Sequence, residues 1–444
     1  MSDFGHSAIQ VRSGRSVKQA PASLFSRGQT VSAISQVFRR IEAPLASPAV
    51  AALIGRTIFA LNQQVRIPEN LDLPDLRSIL VVRLDQIGDL VLTSSFLREL
   101  RRNAPKAFIA LVVKPATRGL VESCPYVDEV LTFDWSGSIK LRLHARALAL
   151  AAKSLWHRHF DLAILPRWGT DSYHAAFVAY FSGALHRVGY SETVDPGKRI
   201  VNSGYDCLLT SASYDSQLKH EVERNLDLLS FLGGTVLDSR LEAWYPESDR
   251  AYCGAILTAR GVRDQELLVA IAPGASKPRK RWPYKNFVEV GRFITDKLGG
   301  RVVVVGGQSE AAMGAQIGEE LGRSTINLAG RTTLSQTAAV LECCRLTVSN
   351  CSGPMHLAAA VGSSVVEISC HPLDGSANSA YSPARFHPWG VPHMVVRPDR
   401  MREPCVGWCS APEAHCVLGV EVNPVKEAVQ RLTSSIPNSC RGPT

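Results

Sequence analysis

Four stretches of this chain place chemically useful side chains just after apolar runs. In the first, SILVVRL (78–84) leads into Asp85, Gln86, Ile87, Gly88 and Asp89. A carboxylate at a strand exit can face a cleft and take a proton. It can also do no more than steady the start of the next helix. In the second, APGASKPRKRWP, the hydroxyl of Ser276 precedes Lys277, Arg279, Lys280 and Arg281. Ammonium and guanidinium groups together suit a diphosphate, although a solvated basic loop has the same composition. In the third, VVVVGGQSE, Gly306 and Gly307 end a strand and Glu310 follows, where an acid can accept hydrogen bonds from a ribose diol or act as a helix-start acid. In the fourth, LTVSNCSGPMHLAAAVG, Asn350, Cys351, Ser352 and Gly353 precede Pro354 and His356. Free N–H groups at a helix start bind phosphate, and His356 adds a donor. A capped helix with a core-facing histidine is the alternative.

The elements that must hold these loops follow from hydrophobic pattern. SILVVRL (78–84), AFIALVV (107–113), EVLTF (129–133) and DLAILP (161–166) are short apolar runs with helical stretches between them. LLVAIAPG (267–274), RVVVVGG (301–307), TINLAG (325–330), LTVSN (346–350) and VVEIS (365–369) repeat the logic. Continuous Val/Ile/Leu strands alternating with helices indicate α/β domains with parallel sheets covered on both faces. YKNFVEVGRFITDKL carries Phe287, Val290, Phe293, Ile294 and Leu298 at helical spacing. The polar stretch 235–265 is expected to be a linker. Two doubly wound domains are therefore expected, with ligand-facing loops at the carboxyl ends of the strands.

The expected boundaries are a basic, partly helical appendage over 1–75, a first Rossmann-like domain over 76–245, a second over 246–435, and a tail over 436–444. Residues 1–30 read as mobile and 31–64 as helix-compatible. AVAALIGRTIFAL is too short to cross a membrane and carries Arg56; it suits either a membrane surface or docking on the protein. With 444 residues, 45% hydrophobic and 20% charged, the composition is that of a globular protein. The start of the chain lacks the apolar core of a signal peptide. Eleven scattered cysteines in so long a chain point to a reducing compartment rather than a disulfide framework. A formal charge of +9 favours anionic partners, but the basic residues are dispersed and lack interleaved aromatics, so nucleic acid is not expected.

The order of motifs RLDQIGDLVLTSSFLRELR, PGASKPRKRWP, GGQSE, INLAGRTTLSQTAAVL and VSNCSGPMHLAAAVG resembles glycosyltransferase family 9, the heptosyltransferase family of lipopolysaccharide core assembly. The resemblance implies a GT-B fold, with two Rossmann-like domains facing across a cleft. It implies an inverting transferase that moves a sugar from a nucleoside diphosphate, typically ADP-heptose, to a hydroxyl of a lipid-linked core glycan. By the same resemblance Asp89 is the catalytic base. Ser276, Lys280, Ser352, Gly353 and His356 bind the donor diphosphate, and Glu310, Thr332 and Thr333 the ribose and base. No cofactor and no obligatory metal are implied, since protein cations can replace one. The implied location is cytoplasmic, with the anionic inner face of the cytoplasmic membrane as a candidate partner surface. A degenerate scaffold that binds nucleotide sugars, and an epimerase or hydrolase on the same fold, are the alternative functions.

One position departs from the family pattern. The family usually writes SNDSGPMH, and here Cys351 stands at the acid. Either the donor differs, another residue supplies the acid, or activity is reduced or lost. A thiol at a helix start can also be reactive, because thiolate is favoured there. Near the end, Cys405, Cys409, His415 and Cys416 can ligate zinc, pair as disulfides or simply pack. Their spacing is not a standard zinc pattern, and members of the family carry similar cysteines.

Overall fold

The structure, a computed structural model, describes residues 47–60, 72–135, 141–263 and 265–435. The expectations for 1–30, for most of 31–64 and for the 436–444 tail lie outside these residues.

Six parallel strands make the first sheet: β1 (Ser78–Arg83), β2 (Phe108–Val113), β3 (Glu129–Thr132), β4 (Leu162–Leu165), β5 (His186–Tyr190) and β6 (Ser211–Ser213). Their order is β3-β2-β1-β4-β5-β6. Six more make the second: β7 (Leu268–Ala272), β8 (Arg301–Val304), β9 (Ile326–Asn327), β10 (Leu346–Asn350), β11 (Ser364–Ile368) and β12 (His393–Val396). Their order, β12-β11-β10-β7-β8-β9, is the same winding read from the opposite edge. The central strands β1, β7, β10 and β11 are buried at every position, which explains their mostly apolar character; Arg83, Asn350 and Glu367 are polar exceptions at or near their carboxyl ends. This is the expected GT-B architecture.

In such sheets the winding reverses between the first and fourth strand, and ligands bind outside the carboxyl ends at that reversal. Here the reversals lie between β1 and β4, and between β7 and β10. Four loops therefore converge: 84–87 after β1, 166–174 after β4, 273–283 after β7 and 351–353 after β10.

Two expectations need correction. The stretch 235–265 is not only linker, because helix Glu247–Ala259 occupies its centre. Cys253 and Leu257 are its buried residues, and the Cys253 thiol donates to Gln336 O (3.3 Å) on the facing helix Leu334–Cys343. A helix with only one narrow apolar stripe reads as polar in sequence. Strands β5, β6 and β12 were not anticipated. Their sequences, HRVGY, SAS and HMVV, are polar or short, as outer strands tolerate. Helix Pro48–Ala60 docks on the first domain: Ala51 is buried, Tyr180 donates to Ala52 O (3.1 Å), and Gly55 lies against the Tyr180 ring. Among the described residues, no helix is long and apolar enough to cross a membrane.

Candidate active site

Asp89 sits in the first turn of the short helix Ile87–Val91, directly after β1. Its Oδ2 accepts from the Gln86 backbone N–H (3.2 Å), closing a capping box, so the helix-start role is real. Its other oxygen does more. Asp89 Oδ1 lies 3.0 Å from Arg167 Nη1, and the same nitrogen lies 3.1 Å from Asp85 Oδ1. Arg83, fully buried at the end of β1, pairs with Asp85 (3.2 Å) and approaches Asp89 (3.8 Å). Two carboxylates thus share two guanidiniums at the β1/β4 reversal. Burial alone pushes Asp89 up, but Arg167 and Arg83 outweigh it and hold the carboxyl below its usual range. For Asp85 burial wins, and its carboxyl is pushed up. Asp89 therefore stays ionised at neutral pH.

Across the cleft, helix Gly353–Ala360 starts after β10 with Ser352 in extended backbone, and the Ser352 side chain does not cap it. The two helix starts meet. A Cβ on Gly88 would come within 2.6 Å of His356 Cδ2, and one on Gly353 within 2.7 Å of Ile87 Cγ2. Only glycine at both positions allows this approach. It brings Asp89, Ser352, Gly353 and His356 to one place. Burial pulls the His356 imidazole down to about 4, so the ring is neutral at physiological pH, and its buried Nδ1 has no hydrogen-bond partner.

Asn350, wholly buried at the end of β10, ties the second reversal together. Its Nδ2 donates to Pro273 O (2.7 Å), and its Oδ1 accepts from Trp282 N (3.1 Å). This fixes both ends of the 273–283 loop against β10. Within that loop Arg281 donates back to Ala275 O (2.9 Å), and Arg279 lies over the Trp408 ring. Lys280 turns inward: its Nζ donates to Cys351 O (3.3 Å), lies 4.0 Å from Cys351 Sγ and sits over the Tyr381 ring at 4.5 Å. Ser276 is exposed on the same loop.

Cys351 is buried, and that burial pushes its thiol above the ordinary range, so the reactive thiolate considered from sequence does not form. Beside it lies Glu367, whose significance the sequence did not reveal. Glu367 faces Ser349 in the β10–β11 register and is 0% exposed. Its neighbours are the Cys351 thiol, Lys280 and Ser369. Burial raises it to about 7.

Glu310 accepts from Gly307 N (3.0 Å) and Ser309 Oγ (2.8 Å), and its side chain lies against Gly274. Gly330 N donates to Gly306 O (2.9 Å), which places the Thr332–Thr333 turn next to the Glu310 loop. The Thr333 hydroxyl is the N-cap of helix Leu334–Cys343, accepting from Gln336 N (3.1 Å). Thr332 Oγ1 shares a hydrogen bond with Thr337 Oγ1 (2.9 Å).

A second contact between the halves was also missed. Arg385 reaches from the second half to Glu221 at the start of helix Glu221–Phe231, with Nη2 to Oε1 at 2.7 Å. Arg224 binds the same oxygen at 2.8 Å, and Trp168 stacks beneath both guanidiniums. Burial pushes Glu221 up, but Arg385 and Arg224 outweigh it and bring the carboxyl down to about 2.

Comparison with known proteins supplies a family. The model of "Glycosyltransferase family 9 (heptosyltransferase)" matches residues 148–412. Lipopolysaccharide heptosyltransferase 2 of Escherichia coli K12 is 25% identical over 345 residues, covering 73% of this chain and 90% of that protein. Lipooligosaccharide heptosyltransferase 2 of Haemophilus ducreyi is 28% identical over 320 residues, covering 69% and 85%. Among solved structures, a family 9 glycosyltransferase of Veillonella parvula superposes with a TM-score of 0.68 at 22% identity, covering 81% of this chain and 98% of that one. The E. coli ADP-heptose lipopolysaccharide heptosyltransferase II does so with a TM-score of 0.59 at 23% identity, covering 81% and 99%.

Proposed function

Since the chain belongs to glycosyltransferase family 9, we propose that it transfers heptose from ADP-heptose to a hydroxyl of a lipopolysaccharide-core glycan, with inversion. Residues 76–245 form the acceptor half and 246–435 the donor half. The observation that carries this reading is the meeting of an ionised carboxylate, Asp89, with the uncapped start of helix Gly353–Ala360 and the inward Lys280.

Asp89 takes the acceptor proton as the hydroxyl oxygen attacks the anomeric carbon. Arg167 keeps it charged and aimed; an incoming hydroxyl that loosens the 3.0 Å pair makes it a stronger base. The oxocarbenium-like sugar is the electron-poor partner. The departing diphosphate gathers negative charge, which Lys280, Ser276 and the N–H groups at Gly353 stabilise. Neutral His356 donates one hydrogen bond without adding charge. Glu310 binds the ribose, and the Thr332–Thr333 turn lines the adenine.

Glu367 supplies the acid that Cys351 lacks. It presents a carboxyl beside Cys351 and Lys280 from the adjacent strand. Cys351→Asp alone then puts two acids on one lysine and leaves turnover unchanged or lower, whereas Cys351→Asp with Glu367→Gln restores it. A large gain from Cys351→Asp alone would refute this replacement and mark the native chain as degenerate.

Calorimetry of ADP, UDP, GDP and dTDP tests the donor assignment. ADP should bind at least about tenfold more tightly than the others, a difference of ~1.4 kcal/mol. Preference for another nucleotide would overturn the heptose donor. The lipid-linked acceptor places the enzyme at the anionic inner face of the cytoplasmic membrane, with residues 1–46 as the contact. Because Pro48–Ala60 is packed on Tyr180, the informative truncation ends before Pro48. It should abolish binding to anionic vesicles and leave ADP affinity intact; unchanged vesicle binding would refute the contact.

A further inference from the structure

We propose that Cys405, Cys409, His415 and Cys416 form a tetrahedral zinc site that braces the wall of the donor loop. The ligand atoms of these four residues all lie within 4.8 Å of one another. Cys405 Sγ is 3.4 Å and Cys416 Sγ 3.5 Å from His415 Nδ1. With Zn–S near 2.3 Å and Zn–N near 2.05 Å, a tetrahedron requires sulfur–nitrogen edges of about 3.6 Å and sulfur–sulfur edges of about 3.8 Å. The two sulfur–nitrogen edges at His415 already have that length, and the remaining edges, all within 4.8 Å, need contract by no more than about 1 Å. No two of its thiols are bonded to each other, and the three cysteines are 8%, 1% and 0% exposed.

The chain is folded to deliver these ligands. Gly407, at φ 71°, reverses it between Cys405 and Cys409, and Val406 bridges Trp408 across the turn. His415 precedes the short helix Cys416–Gly419, which puts adjacent residues on two corners of the tetrahedron. Three thiols and an imidazole are a soft donor set, suited to zinc or iron and unsuited to magnesium or calcium. A packing role alone would not need four ligand atoms converging on one point.

The segment reaches the donor loop by two routes. Trp408, inside the turn, lies against Tyr381 (ring centroids 5.5 Å), and Tyr381 carries Lys280. Val420 O, just past the cluster, accepts from Trp282 Nε1 (2.9 Å). The ion is structural: it fixes the platform behind Lys280 and lies outside the path of the reacting atoms.

The test is metal analysis of the full chain, purified without a histidine tag and in a non-thiol reductant after growth with zinc and iron. The expected result is about one zinc per chain. Cys409→Ser with Cys416→Ser should lower it to less than about a tenth, while Cys207→Ser, at an exposed cysteine, keeps it. Wild-type protein reconstituted with Co²⁺ should show the intense visible bands of a tetrahedral thiolate complex, which needs no variant to fold. Chelation should weaken ADP binding roughly three- to tenfold. Metal-free protein that gives no cobalt spectrum would overturn the site. One equivalent of iron, emptied by the same variants, would overturn the choice of zinc. These metal readouts hold even if ADP is not the donor nucleotide.

Discussion

The two sheets share one winding, yet their reversals carry opposite chemistry. At the β1/β4 reversal two carboxylates are held by two guanidiniums, and the balance keeps Asp89 charged. At the β7/β10 reversal the groups are a lysine, a neutral imidazole, a neutral thiol and a carboxyl raised to about 7. One half holds a fixed negative charge, and the other is poised to receive one. The backbone supplies the position in both cases, and the side chains decide whether it serves as a base or as an anion site.

Breaking the contact between the halves should have the largest effect on stability. Glu221→Gln leaves Arg385 and Arg224 without their shared carboxylate, and loss of one partner of a buried pair costs about 3–5 kcal/mol. Urea unfolding reads this directly; a loss below about 1 kcal/mol would show that the pair does not hold the halves together.

Glu367 sharpens the comparison through pH. Its folded value, about 7, lies above the ordinary 4.5. The folded state therefore keeps a proton that the unfolded chain loses. Stability falls as pH rises from 4.5 to 7 and levels off above, by about 3 kcal/mol in all. Glu367→Gln should remove that slope, so wild type loses about 3 kcal/mol more than the variant between pH 4.5 and 8. Parallel curves would mean that Glu367 is not held protonated.

Lys280→Ala should weaken ADP binding by about 1.5–3 kcal/mol, roughly 10- to 150-fold, and leave acceptor binding unchanged. Equal losses for donor and acceptor would erase the division of labour between the halves. Gly88→Ala places a methyl within 2.6 Å of His356 and should cost about 1–3 kcal/mol of stability, read by urea unfolding, and weaken ADP binding by displacing that ring.

Much of this was legible in the sequence. The central strands are mostly apolar because both faces are covered, and helix Tyr284–Leu298 follows its 3.6-residue pattern. The motif order located three of the four loops at the two reversals; the loop after β4, which carries Arg167, had no motif. Glu367 was not legible, because its place beside Cys351 depends on the register of neighbouring strands. Arg167 and Arg385 act across separations in sequence that no local pattern spans. Arg83 did leave a signal: an arginine inside SILVVRL must find a carboxylate when buried, and Asp85 and Asp89 follow at once. The capping role of Asp89 is visible in both views, whereas that of Thr333 appeared only in the structure.

The most direct test of the account is ADP release from ADP-heptose with a heptose-deficient lipopolysaccharide core as acceptor, comparing wild type with Asp89→Asn. Wild type should release ADP only when the acceptor is present and should form a glycan one heptose heavier. The variant should lose about 10²- to 10⁴-fold in kcat and bind ADP as wild type does. A variant that turns over like wild type, or a wild type that consumes ADP-heptose without glycosylating the acceptor, would contradict it.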